Sequence, residues 1–154
     1  MTEQMTLIAY ETKRGATAEY ASILGGVLHG EFGHQVDMVD LREQRVPDLA
    51  PYDNVILGSG IRVQRLYHKF KKLLKDKRLA DKRVAIFLSS GEAGTDPYKA
   101  TAKYIGRIEK KYPHLQPVAA QAFGGVFPTG GKGDFREPET MRKWARELGE
   151  KLKR

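Results

Sequence analysis

Residues 5–28 read "MTLIAYETKRGATAEYASILGGVL", and this stretch decides the fold. Met5 to Tyr10 is a short apolar run bounded by polar residues, the pattern of a strand buried on both faces. Tyr20, Ile23, Leu24, Val27 and Leu28 then recur at helical spacing along one face. Gly30 and Gly33 mark the end of that helix. Between strand and helix lies "ETKRGATA", with two hydroxyls, two cations and a glycine. A loop that opens a helix presents free N–H groups and the positive end of the helix dipole, which favours an anion. Thr12 and Thr17 can donate to phosphate oxygens, Gly15 lets the backbone wrap, and Lys13 and Arg14 add charge. Neither a Walker loop nor G-x-G-x-x-G is present, so this is a phosphate loop of another kind, or a plain strand–helix turn.

The same alternation continues downstream. Val36 to Val39 forms a short second strand, and "NVILGS" (54–59) a third. A third helix with Arg62 and Arg65 at its start would bury Leu66, Phe70, Leu73 and Leu74. The link from strand two to strand three holds only a turn or a short helix where a second helix would stand. "RVAIFLSS" (83–90) is a fourth strand, and Asp96-Pro97 opens a helix with inner residues Tyr98, Ala102, Ile105 and Ile108. "PVAAQAFGGVF" (117–127) is a fifth strand. The last helix starts near Pro138 and buries Met141, Trp144, Ala145, Leu148 and Leu152. Strand–helix alternation specifies an α/β, three-layer sandwich with a five-stranded parallel sheet, expected over residues 1–154 as one domain.

In an open sheet of this kind ligands bind beyond the carboxyl ends of the strands. The loops there read "ETKRGATA", "GSGIRVQR", "SSGEAGTD" and "GGVFPTGGKGD", all rich in glycine and hydroxyls.

Composition narrows the chemistry. The 154 residues contain no cysteine, which excludes thiol redox chemistry, disulfides and thiolate metal sites. Histidines 29, 34, 68 and 114 show no metal-ligand spacing, and His68 reads as a helix-surface residue. No catalytic side chain and no metal site is expected. No apolar run is long enough to span a bilayer, and Met1–Tyr10 lacks the basic start of a secretion signal, so the expected location is the cytoplasm. The net charge of +8 is concentrated between Arg62 and Arg83, where ten bases face only Asp76 and Asp81. Such a field suits an acidic partner protein docking near Arg62, Arg65 and Lys69. Interleaved aromatics are too few to favour nucleic acid.

"TKRGAT" resembles the flavodoxin phosphate loop, and the whole chain matches the flavodoxin strand order 2-1-3-4-5. "GSGIRVQRLYHKFKKLLK" and "FGGVF" are more specifically similar to the flavodoxin-like protoporphyrinogen dehydrogenases. The resemblance implies non-covalent FMN. Thr12, Lys13, Arg14, Gly15, Ala16 and Thr17 would cradle its phosphate. Ser59, Gly60, Ile61, Arg62 and Val63 would line one edge of the ring. Ser89, Ser90, Gly91, Glu92, Ala93, Gly94 and Thr95 would line the other face. It also implies a backbone carbonyl that turns with the redox state of the flavin, for which Gly60 or Gly58 permits the backbone angles.

The sequence departs from the family in three ways. The third-strand loop has no aromatic before Tyr67, and Tyr98 lies at the far end of the fourth-strand loop. Flavodoxins are commonly acidic. The short polar "PTGGKGDFREPE" stands where the protoporphyrinogen enzymes carry a long insertion. Electron transfer between redox partners is therefore the first reading. An FMN-dependent oxidoreductase of the protoporphyrinogen dehydrogenase (quinone) type is the second. A flavin-free anion- or partner-binding module is the third.

Overall fold

The structure is a computed structural model that describes residues 3–12, 15–62, 65–91, 93, 96–126 and 134–153, with Arg62 described by its backbone alone. Strand β1 (Met5–Glu11) lies between β2 (Gln35–Asp40) and β3 (Asn54–Arg62), and both pairings are parallel. On the far side of β3 come β5 (Arg83–Ser90) and then β6 (Ala119–Gly124), also parallel. The main sheet order β2-β1-β3-β5-β6 is thus the expected five-strand order, with one addition. That addition is β4 (Arg65–Leu66), which pairs antiparallel with the end of β3.

Alternate side chains of a strand point to opposite faces, and both faces are covered here. Leu7, Ala9, Val55, Leu57, Ile86 and Leu88 pack beneath α2 (His68–Leu74) and α3 (Pro97–Lys111). Ile8, Ile56, Phe87 and Phe123 pack beneath α1 (Ala16–Phe32) and α4 (Pro138–Lys151). Leu24 and Leu28 of α1 are fully buried. Each such side chain contributes about 1.5–3 kcal/mol of transfer free energy. Helix α1 stops at Gly33, whose φ of 70° is left-handed and cheap only for glycine. Helix α4 buries Met141, Trp144, Ala145, Leu148 and Leu152, as its spacing predicts. The β2–β3 link contains turns and no helix.

Two expectations fail. The basic segment after β3 does not begin as a helix at Arg62. β3 runs on through Arg62, the chain reverses, and Arg65 pairs back to Arg62. Helix α2 starts only at His68, so Arg62, Arg65 and Leu66 belong to a hairpin. Backbone pairing with β3 outcompetes the helical spacing of Leu66 and Phe70. The inner face of α3 is also rotated from the expected stripe. Ala100, Tyr104, Ile105 and Ile108 are buried, whereas Tyr98 is 88% exposed. Asp96 does cap this helix, accepting from Lys99 N at 3.0 Å, with Pro97 in its first turn. Among the described residues, no helix is long and apolar enough to cross a membrane.

Candidate functional site

At the carboxyl edge of the sheet, β1 ends at Glu11 and the chain turns into α1. Thr12 Oγ1 accepts from Gly15 N at 3.0 Å, which closes the turn. Gly15 sits at the N-cap of α1 with φ of 87°, where any side chain would be strained. Ala16 and Thr17, the first two residues of α1, are buried. The first amides of a helix have no intrahelical acceptor and carry the positive end of its dipole. Lys13 and Arg14 lie outside the described residues.

Thr17 reaches across the sheet. Its hydroxyl shares a 2.8 Å hydrogen bond with the hydroxyl of Ser89, at the end of β5. Register explains the meeting, because Ser89 pairs with Gly60 and Ser59 pairs with Glu11. The ends of β1, β3 and β5 thus lie in one row. Ser90 Oγ accepts from Ala93 N at 3.1 Å and shapes the loop after β5. Gly91 is half-buried and Ala93 buried. Glu92, Gly94 and Thr95 lie outside the described residues.

After β3, Ser59 and Gly60 are buried and Ile61 is half-buried. A Cβ on Gly60 would come within 2.9 Å of the Tyr67 ring, and one on Gly58 within 2.2 Å of Phe87. Both glycines lie in strand β3, and neither has a positive φ. They are needed for space. Tyr67 is itself buried against Gly60, under the hairpin. The side chain of Arg62 and all of Val63 lie outside the described residues.

Four contributors to this edge were not expected from the sequence. The buried Glu11 carboxylate accepts from Phe70 N at 3.0 Å, capping α2 where Tyr67 at the N-cap offers no side-chain bond. Arg42 donates from Nη1 to Thr12 O at 3.2 Å and braces the first loop from the end of β2. The Tyr20 hydroxyl donates to Gly124 O at 2.5 Å and accepts from Glu137 N at 2.8 Å. Glu137 closes the ring by accepting from Gly124 N at 2.8 Å. Burial pushes the Tyr20 phenol up to about 12. Only the parallel strand order could have located Arg42 and Glu137, since both follow elements that end at the same edge.

Of the buried polar or charged side chains among the described residues, Glu11, Thr17, Ser59, Ser89 and Ser90 lie at this carboxyl edge. The others, Thr6, His34 and Asn54, form a separate hydrogen-bonded cluster at the amino end. Each of the five at the carboxyl edge is hydrogen-bonded: Thr17 and Ser89 to each other on the α1 side, Glu11 to α2 on the opposite face, and Ser59 and Ser90 to nearby backbone.

The family model for the flavodoxin domain matches residues 7–131. The chain belongs to the flavodoxin domain family. The structure agrees with that membership. It superposes on oxidised flavodoxin 2 from Bacillus cereus with a TM-score of 0.67 at 23% identity, covering 96% of this chain and 99% of that one. Flavodoxin 1 from the same organism gives 0.69 at 17% identity, covering 97% and 100%. Over 70 residues the chain is 34% identical to the protoporphyrinogen IX dehydrogenase (quinone) of Escherichia coli strain K12. That match covers 46% of this chain and only 38% of the curated relative. At 17–23% identity the flavodoxin neighbours show the fold, and the family model shows the family.

The flavodoxin edge described above has the right chemistry for a phosphorylated flavin. A phosphate monoester needs several N–H or O–H donors and a positive field. The α1 N-terminus, Thr12 and the Thr17–Ser89 pair supply that donor set. Among the described residues no group of three His, Asp or Glu could hold a metal ion.

Proposed function

We propose that this chain binds FMN non-covalently at the carboxyl edge of its sheet and carries electrons between redox partners. The observation that carries the proposal is the buried Thr17–Ser89 hydroxyl pair beside the N-terminus of α1. Thr12 to Thr17 would hold the phosphate. Ser59 to Val63 and Ser89 to Thr95 would line the two sides of the ring. When bound, FMN supplies the redox chemistry, and the protein supplies orientation and electrostatics. Gly15 keeps the backbone wrapped while the first amides of α1 face the anion. Thr17 and Ser89 hold each other, so the phosphate end and the ring end share one support. The buried Tyr67 under Gly60 packs the floor of the hairpin and leaves Ile61 as the half-buried apolar residue beside the ring edge.

A titration of the purified chain with FMN and with riboflavin, read by flavin fluorescence, tests this reading. FMN should bind and riboflavin should bind far more weakly. A hydrogen bond to a charged group is worth about 1.5–3 kcal/mol, so Thr17→Ala should weaken FMN by roughly tenfold or more and leave riboflavin nearly unchanged. Equal affinity for the two flavins, or none for either, refutes the phosphate cradle. A chain indifferent to both would instead be a flavin-free binding module.

The partial identity to the Escherichia coli dehydrogenase favours a second reading, an FMN-dependent oxidoreductase of that type. Turnover of a porphyrinogen with a quinone by the FMN-loaded chain would select it.

A further inference from the structure

The charge of this chain is not spread evenly around α2. On one flank of the helix, Lys69 and Lys72 share a depression with Arg45 and a carboxylate, Asp76. Lys69 Nζ also donates to Arg42 O at 3.5 Å. On the other flank a groove of about 230 Å³ runs between α2 and α3. Arg65, Lys71, Arg107 and Lys111 line it, with no acidic residue among its walls. None of these four forms a salt bridge among the described residues. Its floor is apolar, made by Leu66, Ile108 and the rings of Tyr104 and Tyr112.

We propose that this groove docks an acidic segment of a partner protein, one that carries an apolar side chain between its carboxylates. Charge complementarity sets the sign of the partner, since four cations without counter-charges repel one another until an anion arrives. The apolar floor asks for more than charge, because a purely polar anion would leave it wet. The groove is smaller than the roughly 300–1,000 Å³ of pockets that enclose a drug-sized ligand. It can admit the side chain of a docking protein.

Two of the cations are already positioned. The Arg107 guanidinium lies 5.6 Å from the centroid of Tyr104, and the Lys111 ammonium 5.7 Å from that of Tyr112. Such cation–aromatic contacts hold flexible side chains at the rim of the groove, which lowers the entropy lost on docking.

The groove also has an address. Arg65 and Leu66 form β4, which pairs with Ile61 and Arg62 at the end of β3. A partner seated on Arg65 therefore lies beside the edge of the sheet assigned to FMN, where an electron must enter or leave. This placement rests on the electron-transfer reading above, whereas the chemistry of the groove does not. Lys69, in contrast, turns to the other flank and is no part of this surface.

The test uses the full chain loaded with FMN and a fluorescein-labelled peptide of alternating glutamate and phenylalanine, read by anisotropy. The peptide should bind, and more weakly as salt rises. Lys71→Glu with Arg107→Glu should weaken it by about tenfold or more, since like charges brought together cost several kcal/mol. Lys69→Glu with Lys72→Glu changes the net charge equally on the other flank and should stay within about twofold. Replacing the phenylalanines of the peptide by serine should also weaken binding. Equal losses in the two charge-reversed pairs would overturn the groove, as would indifference to the phenylalanines or tighter binding of a labelled oligothymidine at the same residues. FMN fluorescence on every variant separates the two claims. A chain that takes up FMN and ignores the peptide refutes only the groove. Flank-specific peptide binding by a chain that takes up no FMN refutes only the flavin reading.

Discussion

Tyr20→Phe removes one oxygen and tests how the loop after β6 is tied down. The Tyr20 ring is fully buried and lies 5.3 Å from Phe123, centroid to centroid, so its packing survives the change. What is lost is the hydroxyl that donates to Gly124 O at 2.5 Å and accepts from Glu137 N at 2.8 Å. Each bond is worth about 1 kcal/mol net, and each stranded buried group costs about 1–3 kcal/mol. The expected loss is therefore about 2–4 kcal/mol, part of it relieved by local settling. With a urea m-value near 2 kcal/mol/M, the unfolding midpoint should fall by about 1–2 M without a change of slope. The pH dependence supplies a second reading. Burial holds the folded phenol at about 12, above its ordinary value of 10.0. The unfolded chain releases that proton first, so wild-type stability falls as pH rises from 10 toward 12. The phenylalanine variant lacks this contribution, while Tyr52, also raised to about 12, acts equally in both proteins. The stability gap between wild type and variant must therefore narrow across that window. A loss below about 0.5 kcal/mol at neutral pH, the range of ordinary surface substitutions, would refute the clamp. A gap that stays constant through the alkaline window would refute it too.

The amino end of the sheet should respond to acid. His34 is buried, its Nδ1 lies 2.8 Å from Thr6 Oγ1, and burial, then the charge of Arg83, lowers its pKa below 6.5. The unfolded chain binds that proton more readily, so stability should decline as pH falls below about 6.5, and urea midpoints for His34→Gln should decline less steeply. At Gly58, a Cβ would sit 2.2 Å from Cζ of the buried Phe87. Gly58→Ala should cost about 1–3 kcal/mol and lower the melting temperature by roughly 2–10 °C, and Phe87→Leu in the same chain should recover much of it.

The parallel sheet was legible because its strands are continuous apolar runs, and β5 runs from Arg83 to Ser90 as its sequence predicts. Helix α4 was legible for the complementary reason, a clean 3.6-residue stripe from Met141 to Leu152. The hairpin was not. Leu66, Phe70, Leu73 and Leu74 keep a helical spacing, and nothing local reveals that Ile61 and Arg62 of β3 pair with Leu66 and Arg65. Tyr98 and Tyr104 are both aromatic residues of α3, yet Tyr104 is buried in the core and Tyr98 exposed. At the site, the loop residues were readable from glycine and hydroxyl content. Glu11, Arg42, Tyr20 and Glu137 were not, because each acts through a partner from 13 to 117 positions away. Long-range pairing leaves no periodic trace in a sequence.

One of those hidden residues links the two halves of the functional reading. Glu11 belongs to the strand that leads into the phosphate loop, yet its carboxylate faces the same side of the sheet as Leu7 and Ala9 and caps α2. Helix α2 is only seven residues long, too short to hold its shape without tertiary support. A charge-assisted bond to its third amide therefore fixes where the helix begins, and with it the position of Lys71 opposite Arg107 and Lys111. The carboxylate lies on the face of the sheet away from α1, so it can anchor a basic helix without opposing the positive end of the helix that would meet the phosphate. On the proposed reading, opposite faces of one strand would serve the phosphate loop and the basic helix. Glu11, at the end of that strand, ties the start of α2 to the strand that leads into the loop.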